Sequence, residues 1–310
     1  MSTLAPLTRD EELFLKLLSC ALHEELPNPD DFVGLDKSSW RRIHRLAKAH
    51  AVSAFVGDRI LTLPKEALPS RNMCLMLFSE IELTRRANAY LTKSLGELQK
   101  TYDAAGLPFI LLKGLGLGVF YPSPDLRTGG DLDTLFHSAA EYERANDLLL
   151  QAGYKLHEDS EVRYGHTAFT YGRTIVENHG RAVFFDHKRH NRYFDALVRE
   201  AIDTQSLVPQ QHGDYTIATL PHELNVVYVF IHLFFHWLHW GVGFRQYSDW
   251  LLMMTRLQGQ IDGAKVLRYA EDLDIFYPMQ LFAQAAIRYL HIAPEVFPFP
   301  LLAEYDPHTE

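Results

Sequence analysis

Residues 109–136 read FILLKGLGLGVFYPSPDLRTGGDLDTLF. FILLK is a short apolar run with Gly106-Leu107-Pro108 before it and Gly114 after it, the pattern of a buried strand. Gly114, Gly116 and Gly118 follow, and YPSPDLRTGG is rich in turn formers. DLDTLF then reads as a second strand with alternating faces. Outward from here, 138 to 152 is helical and Gly153 closes it. YKLHE, HTAFTYG and TIVENHG are three further strand candidates. This block is a small region of mixed strands and helix with mostly sequential strands.

Both flanks read as helical. Thr8 opens a helix over 8 to 22, with Glu11 completing a capping box. Ser38-Ser39 open one continuous helix, WRRIHRLAKAHAVSAFVGDRI, and a long helix runs from about 69 to 105. After Arg192 helices resume: 224 to 244, then from Arg245 through DWLLMMTRL, 264 to 273, and 279 to 291. The tail from FPFP onward is irregular. The expected fold class is α+β, a small mixed-sheet core over 106–192 between helical regions at 1–105 and 193–310. There is no internal repeat or low-complexity tract.

Bulk properties narrow the class. The chain has 310 residues, 47% apolar and 22% charged, so a sizeable core needs no staples. A net charge of -9 supplies no global field for nucleic acid, although a local basic groove stays open. Two cysteines in apolar helical patterns argue against a disulfide framework. The N-terminus has neither the basic start nor the apolar core of a signal peptide, and a cytoplasmic location is expected. Residues 224 to 244 hold no Lys, Arg, Asp or Glu and are long enough to span a bilayer. Asn225, His232, His236 and His239 are costly in hydrocarbon, so a buried helix is the expectation.

The chemistry concentrates in the middle block. With period two, Asp131 and Asp133 point the same way, and two close like charges need a cation or a shared proton. Two carboxylates with phosphate oxygens suit Mg²⁺ or Mn²⁺. A DxD alone is weak evidence, but the apolar strand and glycine-rich turn strengthen it. Glu177 on a neighbouring strand completes a three-carboxylate, two-metal site, unless it is a solvated edge residue. His179 shares its face. Lys113 and Gly114 precede a short helix, where backbone N–H groups receive phosphate; Lys113 or Arg127 can pair with triphosphate oxygens. An ordinary strand-end lysine is the other reading of Lys113. No GK[ST] is present, so this is not a Walker A loop.

These residues resemble a bacterial family known as uncharacterised nucleotidyltransferases, of the DNA-polymerase-β-like superfamily. The likeness rests on Lys113-Gly114, Tyr121-Pro122, Arg127 and Gly130-Asp131-Leu132-Asp133, then Glu177-Asn178-His179. It extends to His232, His236, Arg245 and Asp249, and upstream to WRRIHRLAKAHAV, covering roughly 39 to 255. Asn178 stands where an apolar residue is expected. The resemblance implies an NTP, Mg²⁺, and transfer of a nucleoside monophosphate to an acceptor. Asp131 and Asp133 would bind metal, with Glu177 as third acid and base. Lys113, Gly114, Arg127, Gly130, His179, His232, His236 and Arg245 would bind the nucleotide.

Several readings stay open. His232, His236 and His239 share a helical face and suit core packing, a cleft lining or, less well, zinc. Arg245 and Asp249 can pair four apart, or Arg245 can reach phosphate. DHKRHNRYF is a solvated surface or touches an anionic acceptor such as RNA. A catalytically degenerate nucleotide-binding or interaction protein and a metal-dependent phosphohydrolase are the rival functions. The acceptor (a small hydroxylated molecule, sugar, protein or tRNA end) and the base preference are not encoded legibly.

Overall fold

The computed structural model describes residues 6–157, 165–239 and 241–303. Helix α1 (Arg9–His23) starts at the expected capping box. The Thr8 backbone N–H donates to Glu11 Oε2 at 2.7 Å, and the Glu11 N–H donates to Thr8 Oγ1 at 3.4 Å. The expected continuous helix over 40–60 is two helices, α2 (Lys37–Ala49) and α3 (Ser53–Ile60). Ala51 between them has φ 54°, which no helix accepts. Neither Gly nor Pro marks the break, so it has no local sequence signal. Tertiary bonds hold it open: the His50 carbonyl accepts from the Arg245 N–H at 3.1 Å, and the Ala51 carbonyl from Thr128 Oγ1 at 2.7 Å. Helix α4 (Arg71–Ala104) is long, as its apolar periodicity requires.

The central block follows as β1 (Phe109–Leu111), α5 (Leu115–Gly118), β2 (Leu132–Phe136), α6 (Ala139–Gln151), β3 (Lys155–Leu156), β4 (His166–Tyr171) and β5 (Thr174–His179). Helix α7 (Lys188–Asp203) comes next, and its first turns carry the basic run KRHNR. The purely helical expectation beyond Arg192 then fails. Strands β6 (Val208–His212) and β7 (Tyr215–Thr219) form a hairpin around Gly213-Asp214, with Gly213 at φ 58°. A two-residue Gly-Asp turn between alternating runs is a hairpin signal that was available in the sequence. The hairpin joins the sheet through a parallel pairing of Ile110 with Ala218. The sheet thus has seven strands in the order β3-β4-β5-β2-β1-β7-β6, with parallel contacts β2·β5 and β1·β7 and the rest antiparallel. The mixed sheet inside helical layers bears out the α+β expectation.

The C-terminal helices are α8 (His222–His239), α9 (Phe244–Arg256), α10 (Gly263–Asp272) and α11 (Phe276–Leu290). Among the described residues no helix is long and apolar enough to cross a membrane. Strand alternation divides the core in two. Phe109, Leu111, Leu132 and Phe136 pack with Leu95, Leu98 and Tyr102 of α4 and Leu149 of α6. Ile110, Leu112 and Leu135 face the other way, into the large core with Val227, Ile231 and Trp250 of α8 and α9. The site described below occupies this second face.

The irregular tail is not loose. Phe297 and Phe299 are buried, with ring centroids 6.0 and 6.5 Å from that of Trp250. The tail crosses α10 so closely that a Cβ on Gly263 would overlap the Pro298 carbonyl oxygen. Because that oxygen belongs to the backbone, the clash cannot be relieved by a rotamer. Gly263→Ala is expected to cost about 1–3 kcal/mol, as overpacked sites do. Urea unfolding checks this, and a wild-type midpoint would show that the tail does not press on α10.

Candidate active site

Parallel pairing of β2 with β5 sets Asp133 beside Glu177, and Leu135 beside His179. Paired residues lie on one face, and alternation keeps Glu177 and His179 together. The carboxylate and imidazole atoms of Asp133, Glu177 and His179 lie within 4.8 Å of one another. Thr134 and Asn178 point to the opposite face. There Asn178 Oδ1 accepts from Tyr102 Oη at 2.7 Å and Thr134 Oγ1 at 2.8 Å, while its Nδ2 donates to Asn146 Oδ1 at 2.9 Å. Asn178 is fully buried and satisfied, which is why a polar residue is tolerated there. This network bonds β5 to β2, α4 and α6, and so holds the register that assembles the acids.

Lys113 extends from the end of β1 into the group. Its Nζ donates to Asp133 Oδ1 at 2.5 Å and lies 3.8 Å from Glu177 Oε2. His179 Nε2 lies 3.1 Å from the same Asp133 oxygen and 3.6 Å from Glu177 Oε2. Burial alone would raise the Asp133 pKa, but the Lys113 ammonium and His179 outweigh it and hold the carboxyl well below its ordinary value. Burial opposes charge on Lys113 too, yet Asp133 keeps its pKa above normal. Both groups are therefore ionised at neutral pH.

Asp131 does not belong to this triplet. It precedes β2 rather than lying within it, and is half-buried. Burial, then the charges of Glu177 and Asp133, push its pKa up. Its backbone carbonyl lies against Gly114, whose φ of 65° and ψ of −121° are open only to glycine. A Cβ there would stand 2.8 Å from Asp131 O. Gly114→Ala is expected to lower stability by about 2 kcal/mol, the scale of a strained backbone residue, and to displace Asp131. Thermal unfolding reads the first effect; an unchanged Tm would contradict it.

Arg127 lines the cleft, with its guanidinium held in an ion pair. Its Nε and Nη2 donate to Asp249 Oδ1 and Oδ2, each at 2.8 Å, and Tyr121 Oη donates to Oδ1 at 2.8 Å. Asp249 thus pairs with Arg127, not with Arg245 one turn earlier on α9. Arg245 makes no ion pair among the described residues, and its buried Nε has no hydrogen-bond partner. Burial, then Arg127, depresses its pKa from the usual guanidinium range. An arriving anion would relieve that cost.

The charged side chains of this group line one cleft of about 980 Å³. The sheet and its β1 end contribute Lys113, Gly114, Asp133, Glu177 and His179; the loop before β2 contributes Arg127, Gly130 and Asp131. Arg245 comes from α9, with His232 and His236 from α8. Burial pushes the His232 pKa well down and lowers that of His236, so both are neutral near pH 7. Their rings meet edge to face with centroids 4.4 Å apart. His239 is exposed at the cleft margin. Among the described residues, only Asp133, Glu177 and His179 form a group of three or more candidate metal donors, so the zinc reading of the α8 histidines lacks a third ligand. Sequence reasoning missed Tyr228, buried in the cleft lining and within electrostatic reach of Lys113, and the wall formed by Arg181, Ala182, Val183 and Phe184; Arg181 is bonded to Asp195 at 3.0 Å. Neither carries a motif that marks it in advance.

A family model described as uncharacterised nucleotidyltransferase matches residues 36–291. The chain belongs to this family. The match runs from the start of α2 to the end of α11, so this nucleotidyltransferase family takes in helices of both flanks, α1 excepted, as well as the sheet. Every cleft residue named above lies inside it. Membership supports a role in nucleotidyl transfer in general. Among solved structures, the chain is similar to a crystal structure of an antigenic nucleotidyltransferase-like protein from Paracoccidioides brasiliensis. The two are 13% identical, the match covers 67% of this chain and 92% of that one, and the TM-score is 0.39. No curated protein matches the chain.

Proposed function

We propose that the cleft binds a nucleoside triphosphate with Mg²⁺ or Mn²⁺ and transfers the nucleoside monophosphate to a hydroxyl-bearing acceptor. The observation that carries this is the in-register pairing of Asp133 with Glu177, in a cleft also lined by Arg245, whose buried Nε has no hydrogen-bond partner among the described residues. The donor set suits a divalent ion: two carboxylates and an imidazole within mutual reach, already neutralised in part by an ammonium. Asp133 and Glu177 would hold it, with Asp131 closing the site from the start of β2. The ion, when bound, polarises the phosphate and favours attack by the acceptor oxygen.

The chain's own groups divide the remaining work. Arg245 neutralises triphosphate charge across the cleft. Lys113, bonded to Asp133, would pair with phosphate oxygens once a divalent ion neutralised that carboxylate. Glu177, with 22% of its side chain exposed against 3% for Asp133, is the carboxylate an acceptor hydroxyl can reach. It takes that proton as general base. Neutral His232 and His236 border the same space without adding charge.

The test is incubation with α-labelled NTPs, Mg²⁺ or Mn²⁺, and a broad panel of small-molecule, sugar, protein and tRNA acceptors. Label should pass to one acceptor class and be lost in Asp131→Asn. If wild type and variant label nothing differently, the enzyme reading fails. Released phosphate without an adduct would identify a phosphohydrolase instead. Calorimetric NTP binding without turnover would identify a degenerate binding protein.

A further inference from the structure

We infer that His179 is itself a metal ligand, so that this centre takes Mn²⁺-class ions in preference to Mg²⁺. The inference deepens the metal reading proposed above and rests on it. Strand alternation brings His179 to the face of Glu177, and the register with β2 aims its Nε2 at the space between the two carboxylates, 3.1 Å from Asp133 Oδ1 and 3.6 Å from Glu177 Oε2. The ring is 9% exposed, and His166 lies beside it with centroids 5.3 Å apart, so it has little room to swing into solvent. Asp131, the acid that the DxD spacing nominates, is the one outside the mutual 4.8 Å reach. The third donor nearest to hand is therefore nitrogen.

That substitution changes the ion that fits. Mg²⁺ is hard, keeps its waters and takes oxygen, whereas Mn²⁺, although it too suits carboxylate and water, opens the first-row series in which nitrogen donors gain affinity and gives up a water for an imidazole more readily. Lys113 affects the same centre differently. Its ammonium occupies the Asp133 oxygen that His179 also faces, so it competes with any divalent ion for charge but carries no preference among ions. Selectivity then belongs to His179, and absolute affinity to Lys113.

The experiment titrates MnCl₂ and MgCl₂ alone into the full chain and into Lys113→Gln and His179→Gln, by calorimetry. Pulsed electron paramagnetic resonance on the Mn²⁺-loaded proteins reads directly coordinated nitrogen. Mn²⁺ is expected to bind wild type at least about tenfold more tightly than Mg²⁺. Lys113→Gln should tighten both ions and leave their ratio unchanged. His179→Gln should lower the ratio several-fold and erase the nitrogen signal. Equal binding of the two ions, or a wild-type spectrum without coordinated nitrogen, overturns the role of His179 and leaves the carboxylate site intact. If neither ion binds wild type or Lys113→Gln, the metal reading falls and this inference falls with it.

Discussion

Asp133→Asn is expected to cut kcat/KM for nucleotidyl transfer by at least about a thousandfold, equivalent to about 4 kcal/mol of transition-state stabilisation. The change is isosteric, so it tests charge rather than shape. Asp133 is 2% exposed and one of its oxygens meets both Lys113 and His179. An amide cannot balance the Lys113 ammonium, and it is a poor donor to a divalent ion. Steady-state kinetics with the NTP and acceptor found by labelling gives the ratio. Thermal unfolding of the same variant separates lost chemistry from lost fold. A variant that stays within tenfold of wild type would remove Asp133 from the reacting centre.

Arg127→Met is expected to lower the free energy of unfolding by about 3–5 kcal/mol, the cost of stranding a buried charge. Arg127 and Asp249 are both about 95% buried and bonded through two parallel 2.8 Å contacts. Without the guanidinium, Asp249 keeps only the Tyr121 hydroxyl. Arg127→Lys should recover part of the loss, because an ammonium restores charge but not the planar fork. The double variant Arg127→Met, Asp249→Leu should be more stable than Arg127→Met alone, since no unpaired charge remains. Urea unfolding decides. A cost under about 1 kcal/mol for the single variant would show that this pair does not tie α9 to the loop before β2.

The candidate site was legible to different depths in the sequence. The β1–turn–β2 unit carried itself, because glycine and proline bound its apolar runs and the DxD sits against the second run. Glu177 and His179 were legible as a strand pair, and the register with β2 put them beside Asp133. The β6–β7 hairpin was legible through Gly213-Asp214, but the helical stretches on either side masked it. The α2–α3 break was not legible, because nothing local distinguishes His50-Ala51-Val52 from helix.

Arg127 and Arg245 show the limit most clearly. Both read as arginines near a nucleotide site, and nothing in their neighbourhoods ranks them. Packing gave Asp249 to Arg127, more than a hundred positions away, and left the nearer Arg245 facing the cleft. The sequence by itself determined short-range periodicities: the β1–turn–β2 unit, the strand that keeps Glu177 and His179 on one face, and most of the helices. Those are properties of a few residues at fixed spacing. Only the tertiary structure decided which of the acids cluster, which arginine is consumed by an ion pair, and that an imidazole joins Asp133 and Glu177. Those outcomes depend on contacts across large sequence separations, where burial and charge compete and no local pattern records the result.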